Sequence, residues 1–239
     1  MRFPVTVGSF KQGIAGWFWM LAAGMTMQSA LAASPPAVGD TMVYRLVNGY
    51  NREILSQLRY QVEKVDGERA TLRVTPDRAA GGLERTEIVT REGNWLLHSV
   101  ASHGDIVDYE FSAPFPAYVF PLDPGKTWSM HVPARVPGEN RMRSVRVDGT
   151  VLGIERVRVP AGEFDAVKIR RLVYPGDTWH FLQETKVQEI DWYVPALGRS
   201  VRSETRSEYF DLSMGRRKLI NGGWTVLELA EAPPAMAAK

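Results

Sequence analysis

From Thr41 onwards, apolar and polar residues alternate with a period of two. Leu58-Arg59-Tyr60-Gln61-Val62, Thr71-Leu72-Arg73-Val74, Val145-Arg146-Val147 and Val157-Arg158-Val159 each place apolar side chains on one face and polar or charged ones on the other. That is the pattern of half-buried antiparallel strands. Residues that tolerate positive φ interrupt it at short intervals: Asp66-Gly67, Gly81-Gly82, Gly93-Asn94, Gly104-Asp105, Asp148-Gly149, Ala161-Gly162, Gly176-Asp177 and Asn221-Gly222-Gly223. The spacing predicts about a dozen strands joined as serial hairpins. Helical periodicity is weak and confined to Arg52 to Leu58.

One stretch breaks the rhythm. Pro114, Pro116, Pro121, Pro124, Pro133 and Pro137 crowd a region that also holds Phe115, Tyr118, Phe120 and Trp128. Proline cannot donate to a ladder, so this reads as a crossover between two β units, 38–113 and 121–229, with aromatics packed beneath it. The units carry matching segments. Val38-Gly39-Asp40-Thr41-Met42 matches Pro124-Gly125-Lys126-Thr127-Trp128, Val62-Glu63-Lys64-Val65 matches Ile154-Glu155-Arg156-Val157, and Glu87-Ile88 matches Glu189-Ile190. Duplication of a module of ~90 residues is the simplest account, with chance similarity among strands as the alternative. Within Ser200 to Tyr209, Arg202, Glu204, Arg206 and Glu208 share one face and Val201, Ser203, Thr205, Ser207 and Tyr209 the other. With neither face strongly apolar, it reads as a solvated outer strip or a protected edge. A single β domain is expected over 34–229, with 230–239, which contains Pro233-Pro234, as a mobile tail.

The first residues have a different character. Arg2 and Lys11 precede the apolar stretch Gly13 to Met27, and Ser29-Ala30-Leu31-Ala32-Ala33 supplies the small residues a signal peptidase requires. The stretch is short for a bilayer span, so 1–33 reads as a secretory signal peptide and the remainder as a soluble periplasmic protein without a transmembrane segment. Removing 1–33 takes two of the 29 Lys and Arg and none of the 27 Asp and Glu, leaving 27 against 27. A formally neutral chain gives nucleic-acid binding no electrostatic basis.

Chemistry is marked mainly by absences. With no cysteine, disulfides, Cys-ligated metals and thiol catalysis are excluded. Gly125-Lys126-Thr127 imitates the end of a phosphate loop, but Phe120 stands where its first glycine belongs. His98, His103, His131 and His180 show no ligand spacing, so neither a metal nor a cofactor is expected. Asp108 with Glu110, and Glu189 with Asp191, are same-face carboxylate pairs that an outer solvated face explains most simply. Asp191 stands out because Trp192 and Tyr193 follow it.

Aromatics remain. A sheet that curls without closing leaves an apolar concave face, and Phe120, Trp128, Phe164, Trp192 and Tyr193 are the candidates to line it, against the alternative that they seal a core.

Three motifs in order, Phe120-Pro121-Leu122-Asp123-Pro124-Gly125-Lys126-Thr127-Trp128, then Pro160-Ala161-Gly162-Glu163-Phe164-Asp165-Ala166-Val167-Lys168-Ile169, then Trp192-Tyr193-Val194-Pro195-Ala196-Leu197-Gly198, resemble an uncharacterised group of bacterial exported β proteins. That group is similar in general shape to periplasmic lipoprotein carriers of the LolA and LolB type. The resemblance implies an all-β, antiparallel, meander-like open half-barrel or strongly curved sheet with a lipophilic concave face. The expected role is non-enzymatic: holding a lipid or other apolar ligand, or docking a cell-envelope component. Two alternatives stand beside it, an envelope hydrolase using Asp191 with Glu189 and a structural assembly subunit.

Overall fold

The computed structural model describes residues 36–77 and 83–232. The expected signal peptide, the Gly81-Gly82 turn and the end of the expected tail lie outside the described residues. Twelve strands follow in chain order: β1 (Thr41–Asn48), β2 (Ile54–Asp66), β3 (Arg69–Pro76), β4 (Arg85–Thr90), β5 (Trp95–Ser102), β6 (Asp105–Phe115), β7 (Thr127–Arg135), β8 (Arg143–Val159), β9 (Gly162–Tyr174), β10 (Lys186–Val194), β11 (Arg199–Asp211) and β12 (Lys218–Glu231). Each pairs antiparallel with its sequence neighbours, and β1 pairs with β12, Val47 opposite Val226 and Tyr44 opposite Leu229.

The molecule is therefore a closed barrel, not the open half-barrel or curved sheet expected from sequence. Closure removes both edges of the sheet, whose free N–H and C=O groups would otherwise invite pairing with other chains. Nothing local announces it, because the pair that seals the barrel joins the two ends of the domain. β12 also runs to Glu231, two residues into the segment read as a tail.

Alternation sorts the walls. On β2, Ser56, Leu58, Tyr60 and Val62 are buried while Gln57, Arg59, Gln61 and Glu63 are exposed, so the outer wall here is polar and charged. The weak helical signal near Arg52 dissolves into a turn followed by this strand: Arg52 has φ 65° and donates its N–H back to Asn48 O. The proline-rich segment is no crossover either, since β6 and β7 are direct neighbours. Pro114 and Pro133 lie within those strands, and only Glu110–Arg135 and Phe111–Ala134 register across the seam.

A twelve-strand lumen is wider than wall side chains alone can fill. Two inserts divide it. The β5–β6 hairpin leans across it: at its tip Ser102 donates to Asp177 at 2.8 Å, and the His103 N–H donates to Thr185 Oγ1 at 2.9 Å, both on the β9–β10 connection. One face of the hairpin, with Tyr109 and Phe111, packs against Val132, Val145, Val147, Ile169 and Val173 in a filled half. At the opposite end, Ala117 and Tyr118 tuck inward, anchored by Asn94, which donates to Tyr118 O (3.0 Å) and accepts from its N–H (2.8 Å). The β8–β9 hairpin does something different. Beyond Val167 it has no β10 partner and folds back over the outer wall, where the Ala161 N–H donates to Leu229 O at 3.1 Å.

The register also gives β1–β4 and β7–β10 matching stations. Gly39 N–H donates to Val62 O and Val62 N–H to Asp40 O; Gly125 and Lys126 exchange the same two bonds with Val151. Register shifts follow Val62 in β2 and Val151 in β8, and then Ile88 in β4 and Trp192 in β10. Leu72 opposes Glu87 as Ile169 opposes Asp191, so the station matching Glu87 is Asp191 rather than the Glu189 suggested by sequence, and the station matching Val62 is Val151 rather than Ile154. The turns after β4 and β10 meet: a Cβ on Gly93, at φ +88°, would lie 2.7 Å from Gly198 O.

Candidate functional site

The undivided half of the lumen is a cavity of about 950 Å³. Leu46, Leu58, Val89 and Leu227 wall it, and Leu55, Leu83 and Ile106 stand exposed at its mouth. The other face of the β5–β6 hairpin, Ser99 and Ala101, borders it. Its deep end is charged.

Two groups make up that end. In the first, the Arg171 guanidinium, almost wholly buried, donates to Glu189 Oε2 (2.9 Å), Asp191 Oδ2 (2.7 Å) and Ala117 O (3.2 Å). Asp191 also accepts from Tyr118 OH at 2.7 Å and from Ser203 Oγ. Burial alone would raise the Asp191 carboxyl, but the Arg171 charge and the Ser203 and Tyr118 hydrogen bonds outweigh it and hold the pKa below the ordinary value. Burial pushes the Tyr118 phenol well up, and Asp191 adds to the rise.

In the second group, Glu87 sits among Arg85 Nη2 (3.4 Å), His98 Nδ1 (3.5 Å) and Arg199 Nη2 (3.6 Å). Against the effect of burial, His98, Arg199 and Arg85 bring its carboxyl down to about 2. These contacts are longer than those of the first group. Arg85 Nε, His98 Nδ1 and Arg199 Nη1 have no hydrogen-bond partner. The His98 ring stacks on Trp95 at 4.0 Å, and Arg199 lies over Tyr60 at 4.9 Å.

None of the five aromatics expected to line the site borders this cavity. Trp128 fills the packed half, its ring held over Gly149 and its Nε1–H donating to Pro116 O at 3.0 Å. Tyr193 packs there on Tyr118 at 4.2 Å and donates its hydroxyl to Glu92 O. Trp192 is buried outside the barrel, between Lys168 (4.8 Å) and Arg202 (4.9 Å), with Phe164 in the same cluster under the β8–β9 hairpin. Phe120 is partly exposed beside Tyr193.

Of the two carboxylate pairs, Asp108 and Glu110 are exposed, as read, and the other reverses expectation. Glu189 and Asp191 share a face, as read, but it is the inner one and not a solvated outer face. The strip Ser200 to Tyr209 keeps its charged face outward, as read, with Trp192 beside Arg202, while Ser203 and Thr205 line the cavity; closure leaves it no free edge to protect. Sequence reasoning missed Arg171, although it stands at an inward position between Ile169 and Val173. An arginine amid apolar neighbours of the same parity is the signal that pointed to it. Among the described residues no cluster of three or more His, Cys, Asp or Glu could hold a metal ion, and no helix is long and apolar enough to cross a membrane.

No protein-family model matches the chain, and no curated protein does, so the resemblance to an exported β family has no support from either. Two solved structures are similar. One is a "putative lipoprotein" from Parabacteroides distasonis, 14% identical, with a TM-score of 0.44 over 82% of this chain and 96% of the other. The second is the hypothetical lipoprotein YmcC from Escherichia coli, also 14% identical at a TM-score of 0.44, over 83% of this chain and 86% of that one. Likeness at this level carries no argument about what the barrel does.

Proposed function

We propose that the chain is an exported, non-enzymatic binding protein of the cell envelope that holds a lipophilic molecule with a polar end inside its barrel. The observation that supports this is the cavity of about 950 Å³, apolar along its walls and polar at depth. Ligand sites are concave, mostly apolar and orient their guests with a few placed polar groups, and their volumes run from about 300 to 1,000 Å³. Export and the periplasm rest on the N-terminal pattern of charge, apolar stretch and small residues.

The hydrolase reading is weaker. A carboxylate pair needs one member held protonated to act as acid, and Asp191 is shifted the opposite way, with its oxygens already taken by Arg171, Tyr118 and Ser203. Native mass spectrometry of the protein purified from periplasm, followed by solvent extraction, tests the proposal. A stoichiometric lipophilic adduct that is weakened in Leu58→Trp, a variant that narrows the cavity along its apolar wall, is the expected result. A turnover lost in Asp191→Ala, with no adduct in either protein, would favour the hydrolase.

A further inference from the structure

We propose that the lumen selects an acidic amphiphile and holds it head first, with its chain directed to the mouth; this rests on the reading of the lumen as a ligand site. The deep charges are not equally presented. Side-chain exposure is 27% for Arg85, 20% for His98 and 19% for Arg199, against 2% for both Glu87 and Asp191 and 11% for Glu189. The acids lie beneath, and the Arg85 and Arg199 guanidinium groups and the His98 ring face the space. A guest reaching this depth therefore meets guanidinium and imidazole edges.

Those edges also have capacity left. Arg199 approaches Glu87 no closer than 3.6 Å, and its Nη1 and the Nε of Arg85 are unpartnered though themselves buried, so a guest meets the partly exposed remainder of each guanidinium and can draw on these spare donors only as the forks turn towards it; Arg171, by contrast, is engaged at all three nitrogens. Planar guanidinium forks suit carboxylate and phosphate oxygens, and a charge-assisted bond in a low-dielectric pocket is about twice as strong as a neutral one. The remaining acids on the cavity are occupied at the rim: Glu84 by Arg73 and Thr75, Asp108 by Ser99.

Orientation follows from the walls. From the cationic floor, Leu58, Leu46 and Leu227 lead outward to Leu55, Leu83 and Ile106, all exposed at the rim. The opposite end is shut by Tyr118 and by the contact between Gly93 and Gly198, so a chain has one way to run. An acidic head buried against Arg199 with its chain along these leucines satisfies both surfaces. The reverse orientation would leave the unsaturated cations facing hydrocarbon, which is costly.

The test uses four amphiphiles of equal chain length, palmitate, hexadecyl phosphate, hexadecanol and hexadecyltrimethylammonium, titrated into the delipidated protein below their aggregation limits. Binding is read by native mass spectrometry and tryptophan fluorescence. Both acids should bind at least about tenfold tighter than the alcohol and the ammonium. Arg199→Gln and, separately, the more exposed Arg85→Gln should each erode that preference about tenfold while leaving the alcohol unchanged. Thermal unfolding checks that each variant folds, and Arg85→Gln carries the test if Arg199→Gln does not. Equal binding of all four, or a preference for the ammonium, overturns the acidic selection and leaves the lumen site standing. Binding of none overturns both. For orientation, palmitate brominated beside its carboxylate should quench the Trp95 component, isolated by difference with Trp95→Phe, more than palmitate brominated at its chain end; the reverse order overturns head-first seating. A preference between palmitate and hexadecyl phosphate identifies which acid the floor fits.

Discussion

Arg171 is the residue on which the deep end of the lumen depends. It pairs with two buried carboxyl groups at once, and taking it away strands both of them. Arg171→Met should destabilise the barrel by about 3–5 kcal/mol, measured by urea unfolding at neutral pH, because an uncompensated buried charge costs far more than the pair contributes. Glu87 makes a pH-dependent contribution. Its folded pKa of about 2 lies below the ordinary 4.5, so the stabilisation is in place above 4.5 and is lost as the pH falls towards 2. The gap corresponds to about 3 kcal/mol at neutral pH. Urea midpoints followed from pH 6 to pH 2 should fall less steeply for Glu87→Gln than for the parent; an unchanged acid limb would show that Glu87 is not its source. Packing sets a third test. A Cβ at Gly149 would lie 2.1 Å from the Trp128 ring, so Gly149→Ala should cost about 1–3 kcal/mol, and much less when combined with Trp128→Leu.

Among the elements, the β5–β6 hairpin is the most lightly tied. Only Ile88–Leu97 and Val89–Trp95 register it to β4, and two pairs register it to β7. Its tip is held instead by the buried Asp177 carboxylate, which accepts from Ser102 Oγ, Thr185 N–H and Thr185 Oγ1. Asp177→Ala should therefore accelerate amide exchange across residues 99–107 while β1 to β3 exchange as before. Uniform acceleration would mean that the carboxylate supports the whole barrel and not the hairpin. The strands themselves were legible, since their alternation and glycine-bearing turns are local. The hairpin's lean across the lumen was not, because alternation marks the exposed face of β6, Asp108 and Glu110 against Tyr109 and Phe111, and says nothing of where the tip docks on the β9–β10 connection.

For the whole molecule, the β1–β12 seam decides whether there is an inside. A chain ending at Gly215 lacks β12 and would leave β1 and β11 as long free edges. Size-exclusion chromatography should find it aggregated, where an open sheet designed to stand alone would stay monomeric.

From sequence alone came the all-β class, the serial antiparallel hairpins and the pairing of Glu189 with Asp191 on one face, because period-two alternation reports which side chains point the same way. It cannot report whether a polar face looks outward or into a lumen, and so the inward-facing Glu189 and Asp191 were misplaced and their partner Arg171, inward among the apolar residues of β9, was missed. Closure, the folding-back of β8–β9 over Trp192 and the partition of the lumen belong to the tertiary structure. Each depends on contacts between segments far apart in the chain, whose free energy no local pattern encodes.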